Sequence, residues 1–128
     1  MNRPVHFEIQ ASDPEKLKKF YEDLFGWKIE KWGPVDYWLI RTGKEGEPGI
    51  DGAILPREGA APTEGQAMSG YVCTVDVPNL DEFMKKVEQA GGKITVQKSV
   101  IQGIGWNCYA KDPDGNLFVM MQNDPKAK

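Results

Sequence analysis

The spacing of hydrophobic positions switches period twice along the chain, each time in the same order. From Pro4 to Gln10, Val5, Phe7 and Ile9 alternate with His6, Glu8 and Gln10, as in a strand with two unlike faces. The spacing then becomes helical. Leu17, Phe20, Tyr21, Leu24 and Phe25 recur at i, i+3, i+4, i+7 and i+8 and make one apolar stripe. Ser12 with Glu15 fits a capping box, Asp13 before Pro14 fits an N-cap followed by proline at the first helical position, and Gly26 supplies a left-handed stop. A degenerate copy of this plan begins near Gly70, GYVCTVDVPNLDEFMKKVEQAGGKI, with Phe20 falling on Phe83 and Leu24 on Val87. Its stripe is Leu80, Phe83, Met84, Val87 and Ala90, opened by Pro78 or Asn79 and stopped by Gly91-Gly92. A period of about 63 to 65 positions is no solenoid repeat and implies a domain built as two similar halves.

The remaining elements complete each half. Trp27–Trp32 and Asp36–Thr42 read as strands joined across Gly33-Pro34, and Ile50–Leu55 as a fourth, glycine-interrupted strand after the loop Gly43–Gly49. In the second half the strands are Tyr71–Asp76, Lys93–Val100, Trp106–Lys111 and Leu117–Gln122. The last two form a hairpin across Asp112-Pro113-Asp114-Gly115-Asn116. That turn lacks the third acidic ligand and distal glutamate of a calcium loop, so it reads as a turn with Gly115 left-handed. Residues from Asp124 onward read as a frayed charged tail. The fold class expected is α+β: two βαβββ modules, about 3–56 and 70–122, with connector 57–69, in a single domain spanning 1–128. The eight strands are expected to form a curved mixed sheet with both helices on its outer face. Its inner face would be a cup enclosing a binding cavity.

Composition narrows the function classes. With 128 residues, 40% hydrophobic and 27% charged, the chain has enough apolar material for a core. A net charge of -3 and a pI near 5.2 argue against a nucleic-acid surface or an anionic-membrane anchor. The Lys18-Lys19 and Lys85-Lys86 pairs fall on polar helix faces. The first residues carry no basic n-region followed by an apolar h-region, so a secretory leader is not expected, and no apolar run approaches the ~20 residues that span a bilayer. Cys73 and Cys108 have no CxxC spacing and are expected as small buried thiols in strands, so a reduced, cytoplasmic setting is the expectation. Ser12, Ser69 and Ser99 stand in no G-x-S-x-G context, and no phosphate-binding glycine loop precedes either helix.

Strand parity nominates a site. His6 and Glu8 point together away from the helix layer, and parity places Val72, Thr74, Leu117, Val119 and Met121 on the same face. Such an apolar pocket with a polar corner suits an organic ligand better than an ion. His6 is the only histidine; it reads as a ligand contact or general base, or as a hydrogen-bonded residue of a half-exposed sheet. Glu8 is the second candidate, with solvation or pairing to Arg41 or another base as the plainer alternative. Trp32, Tyr37, Trp38 and Trp106 are many aromatics for so small a domain. Those on the third and seventh strands, Tyr37, Trp38 and Trp106, could line the cup and stack a planar ligand, with core packing the commoner fate of such residues, whereas Trp27 and Phe25 belong to the core.

Paired βαβββ modules, the segment FYEDLFGW from Phe20 to Trp27 and the terminal DPDGNLFVMMQ strand resemble the vicinal oxygen chelate superfamily. That superfamily includes glyoxalase I, extradiol dioxygenases, fosfomycin-modifying transferases and bleomycin-binding resistance proteins. The resemblance spans roughly Val5 to Gln122 and is greatest to small glyoxalase-related proteins of bacteria and archaea. It implies a homodimer and a metal held by first-strand and last-strand ligands, commonly His and Glu. Carried over by position, His6 matches; Gly70 and Val119 offer no donor, and the fourth-strand position falls near Gly52, with Asp51 its only acidic neighbour. The expectation is therefore a small-molecule binder without the full metal site and with no cofactor. His6, Glu8, Val72, Thr74, Trp106, Val119 and Met121 would contact the ligand, and nucleic acid and membrane are not partners. The alternative is a metal-dependent lyase or isomerase using His6 with Asp51 or Glu8 and ligands from a partner chain.

Overall fold

The helices form where the apolar stripes and caps place them. In the computed structural model, which describes residues 3–67 and 69–128, α1 spans Pro14–Phe25 and α2 spans Leu80–Gln89. Asp13 caps α1, its carboxylate accepting from the Lys16 amide at 3.3 Å, and Asn79 caps α2, accepting from the Glu82 amide at 3.0 Å. Gly26 closes α1 at φ 71°, and its amide donates to the Glu22 carbonyl. The strands are β1 (His6–Ala11), β2 (Lys28–Lys31), β3 (Trp38–Arg41), β4 (Asp51–Pro56), β5 (Thr74–Asp76), β6 (Lys93–Ile101), β7 (Gly105–Lys111) and β8 (Leu117–Asn123). The chain divides into two units at Ala61/Pro62. The boundary falls inside the expected connector, of which Met68 lies outside the described residues.

The first unit is one helix on one four-stranded sheet of order β1-β4-β3-β2. β1 and β4 are parallel, and the other two pairings antiparallel. Leu17, Phe20, Tyr21 and Leu24 of α1 are buried, as are Ile29, Trp38, Ile40 and Ile54 of the sheet. Each fully buried large side chain stabilises by roughly 1.5–3 kcal/mol before entropy is counted, so this interface is the main support of the unit. The Trp38 indole donates to Glu15 of α1 at 3.2 Å, which identifies the side of the sheet that faces the helix. Tyr21 and Phe25 of α1 pack against Trp27, which lies just beyond the helix stop, with Phe7 against Trp27.

The second unit repeats the order as β5-β8-β7-β6, again with its first strand parallel to its last and the rest antiparallel. The α+β class and the doubled βαβββ plan are as expected; the eight strands are hydrogen-bonded as two open sheets of four. Leu80 and Val87 of α2 are buried, and the Leu80 amide donates to the Gln122 side chain at 2.8 Å, so Gln122 marks the helix-facing side. β5 is shorter than its pattern suggested: Val72 and Cys73 precede it, and Cys73 is exposed rather than buried. The Cys73 carbonyl accepts from the Val119 amide. The Asp112 turn is built around a buried carboxylate that accepts from the amides of Asp114 and Asn116 and from the Asn116 side chain. Gly115 has φ 87°, as the turn reading required. The tail is not frayed. The Trp106 indole donates to Asp124, the Gly103 amide donates to the Ala127 carbonyl, and Ala127 is buried.

Candidate functional site

Register decides which side chains share the open face of the first sheet. Trp38 faces α1 and pairs with Ile54, which pairs with Ile9, so these mark the helix side. Alternation then places His6, Glu8 and Gln10 on the opposite side, as strand parity indicated. Their partners on β4 are Asp51, Ala53 and Leu55, and the face continues through Leu39 on β3 and Glu30 on β2. Asp51 therefore stands directly opposite His6. β1 and β4 pair in continuous register, with no bulge between them.

A hydrogen bond at 3.0 Å joins the Tyr37 hydroxyl to His6 Nε2. The phenol donates when Nε2 carries no proton, and Nε2–H donates in the other tautomer. Because β4 lies between β1 and β3, the Tyr37 side chain reaches across the face of β4 to make this contact. The β4 residue on that face between Glu8 and Leu39 is Ala53, fully buried and too small to block the crossing. Glu8 Oε2 lies 3.9 Å from the same His6 nitrogen. Glu8 pairs with His6 rather than with Arg41. His6 and Glu8 remain about half exposed, at 42% and 47%, so the corner is open to an incoming molecule. Tyr37 was one of several aromatic candidates, but only the strand order reveals it as the partner of His6.

Asp51 is held differently. Its Oδ1 accepts from the Thr42 amide at 2.8 Å and from the Thr42 hydroxyl at 3.3 Å. Among the described residues no three His, Cys, Asp or Glu side chains are grouped to hold a metal ion. With a carboxylate turned toward Thr42, an apolar Val119 and no donor at Gly70, the residues of this chain do not fit the four-ligand set that the resemblance implies. Two depressions mark the same face. One, of about 570 Å³, is lined by Gln10, Leu55, Pro56, Arg57 and Glu58; the other, of about 210 Å³, by Lys28, Glu30, Leu39 and Arg41.

The open face of the second sheet carries Thr74, Val119 and Met121, which the register joins to Tyr109 and Asn107 of β7. Trp106 is not among them. It pairs with Gln122 and so lies on the side facing α2, with the Lys98 ammonium 5.0 Å from its ring centroid. Tyr109 and Asn107 take its place. The hairpin turn could have given this from sequence, since Lys111 opposite Leu117 fixes every later pairing. Val72 lies outside β5, half-buried. Trp38 is core, and Trp32 is 62% exposed. Cys108 is fully buried, and burial pushes its thiol up to about 11, which removes it as a nucleophile.

Two modules of one βαβββ design, each leaving one sheet face uncovered by its own helix, define a doubled-module protein. The chain belongs to the Glyoxalase/Bleomycin resistance protein/Dioxygenase superfamily, whose family model matches residues 3–120. A "Glyoxylase-like domain-containing protein" of Didymella fabae is 34% identical over 87 residues, 67% of this chain; the match spans 66% of that relative's length. Among solved structures, the hypothetical protein SA1046 from S. aureus is 24% identical with a TM-score of 0.69, covering 95% of this chain and 98% of that one. The fosfomycin resistance protein FosX from Listeria monocytogenes is 15% identical with a TM-score of 0.72, covering 97% and 95%. A mutant of FosX was solved with Mn(II) and 1S,2S-dihydroxypropylphosphonic acid. These structures share the fold.

Proposed function

We propose that the chain binds a small, partly apolar organic molecule on the open face of its first sheet, with His6, Glu8 and Tyr37 as the polar contacts. One observation carries this reading: the Tyr37–His6 hydrogen bond, drawn across β4 and left half open to solvent. A phenol and an imidazole held together, with a carboxylate 3.9 Å away, can donate to and accept from a ligand without large rearrangement. Leu39 and Leu55 on the same face supply apolar contact. Thr74, Val119 and Met121 share the open face of the second sheet and are tested as a second locus. The chain acts as a binder on its own residues, in keeping with the poor fit of its donors to a metal.

A second reading has one observation in its favour, the direct opposition of His6 and Asp51 across the β1–β4 pair. A lyase or isomerase of glyoxalase type would use these two with donors from a second chain. Both readings are separated by fragment screening with amide NMR on wild type, His6→Ala and Tyr37→Phe, with and without Mn²⁺, Ni²⁺, Zn²⁺ and Fe²⁺. Metal-free binding that maps to β1, β3 and β4 and is lost in His6→Ala supports the binder. Stoichiometric metal uptake lost in both His6→Ala and Asp51→Asn overturns it in favour of the enzyme. Shifts confined to the second sheet overturn both.

A further inference from the structure

On the same open face, two cations oppose each other across a strand pair. Lys28 and Arg41 are direct cross-strand partners in the β2–β3 pair. Like charges so placed destabilise a sheet. Among the described residues neither side chain makes a hydrogen bond or an ion pair. Asp51 is an acid on the adjoining strand whose carboxylate accepts from Thr42 and, among the described residues, makes no ion pair with either cation. Glu30, two residues beyond Lys28 and opposite Leu39, is the carboxylate that shares the 210 Å³ depression with them. A depression lined by two cations, one acid and one leucine keeps an excess of one positive charge over a small volume.

We propose that Lys28 and Arg41 form an anion-recognition subsite that takes the carboxylate, phosphonate or phosphate end of a ligand. This rests on the binding reading above and adds the ligand class: a small organic anion whose uncharged part lies against Leu39 and reaches toward His6. The geometry sets its length. Neighbouring strands lie roughly 4.8 Å apart, so Arg41, two strands from β1, is roughly 10 Å from the His6 strand and Lys28 roughly 14 Å. Arg41 offers a fork of donors matched to two oxygens and Lys28 a mobile point charge, a pairing that accepts planar and tetrahedral anions alike. Like charges directly opposite each other disfavour the pair, and an anion held between them offsets that cost.

The test is an amide NMR titration of the full chain with inorganic phosphate, methylphosphonate and acetate, each against chloride at equal ionic strength. Saturable shifts centred on 28–30 and 39–41 are expected. The Lys28→Gln/Arg41→Gln double variant should bind at least about tenfold more weakly, the scale of losing charge-assisted hydrogen bonds. It should be no less stable than wild type in chloride, since the repulsion is gone, and Lys28→Gln alone gives the same two readouts at smaller size. Glu30→Gln should bind more tightly. Tighter acetate assigns a carboxylate ligand; tighter phosphate or methylphosphonate assigns a tetrahedral one. His6→Ala should leave phosphate affinity within about twofold while abolishing fragment binding, so failure of the His6 reading and failure of the anion subsite give different patterns. Absence of saturation in wild type, or undiminished binding in the double variant, overturns the proposal.

Discussion

Gly52 joins the packing of the first sheet to the placement of His6, and its substitution tests whether that coupling is physical. Gly52 pairs with Phe7 in the parallel β1–β4 ladder and is fully enclosed. A Cβ built there would lie 2.5 Å from the Phe7 carbonyl oxygen and 2.8 Å from both Cδ atoms of the Phe7 ring. The ring could turn, but the carbonyl belongs to the backbone, so the two strands must separate by several tenths of an ångström. Overpacking of this kind costs about 1–3 kcal/mol. Alanine recovers about 0.4–1 kcal/mol by restricting the unfolded chain, leaving a net loss centred on about 1.3 kcal/mol. In urea, with a slope of about 1.5 kcal/mol/M, Gly52→Ala should lower the midpoint by roughly 0.9 M with the slope unchanged. Gly43→Ala is the control, because its nearest contact is a glutamate side-chain tip at 3.4 Å and its φ is not positive; it should be neutral or slightly stabilising. Gly52→Ala also moves Asp51 and Ala53 relative to His6 and Glu8, so fragment binding at His6 should weaken with stability. A Gly52→Ala protein as stable as wild type would refute the close-approach argument. So would equal losses at Gly52 and Gly43.

Further outcomes follow from the second unit and the cap of α1. Asp112→Ala removes the acceptor of three turn hydrogen bonds from a buried position and should cost about 2–4 kcal/mol in urea melts, whereas a calcium titration should leave wild-type stability unchanged. Asp13→Ala should cost about 1 kcal/mol through loss of the α1 cap, read by thermal melting. Cys108 has its pKa raised by burial from 9.0 to about 11, so the folded state holds its proton where the unfolded chain releases it. Its contribution is complete below pH 9.0 and declines as pH rises toward 11; Cys108→Ala should flatten that alkaline loss, measured as urea midpoints from pH 8 to 11. A thiol reagent should titrate one cysteine, Cys73, in the native protein and both after denaturation.

The local rules of the chain read correctly from sequence because they act over a few residues. The stripes of α1 and α2, the caps at Asp13 and Asn79, the stop at Gly26 and the turn at Gly115 each need only spacing and backbone preference. The doubled βαβββ plan followed from the repeat, and the side of β1 bearing His6 and Glu8 followed from alternation alone. Where segments meet is another matter. Tyr37 became the partner of His6 only through the order β1-β4-β3, which brings residues thirty-one positions apart together over a small Ala53. Asp51 faces His6, and Lys28 faces Arg41, because hydrogen-bond register chose those pairings from several that the pattern allowed. Trp106 turned to the helix side and the tail from Asp124 was tied down for the same reason. Periodicity is a property of one segment and is written in its residues. Register is a relation between segments, and a shift by one residue exchanges every side chain between faces, so only the tertiary structure decided which groups could act together.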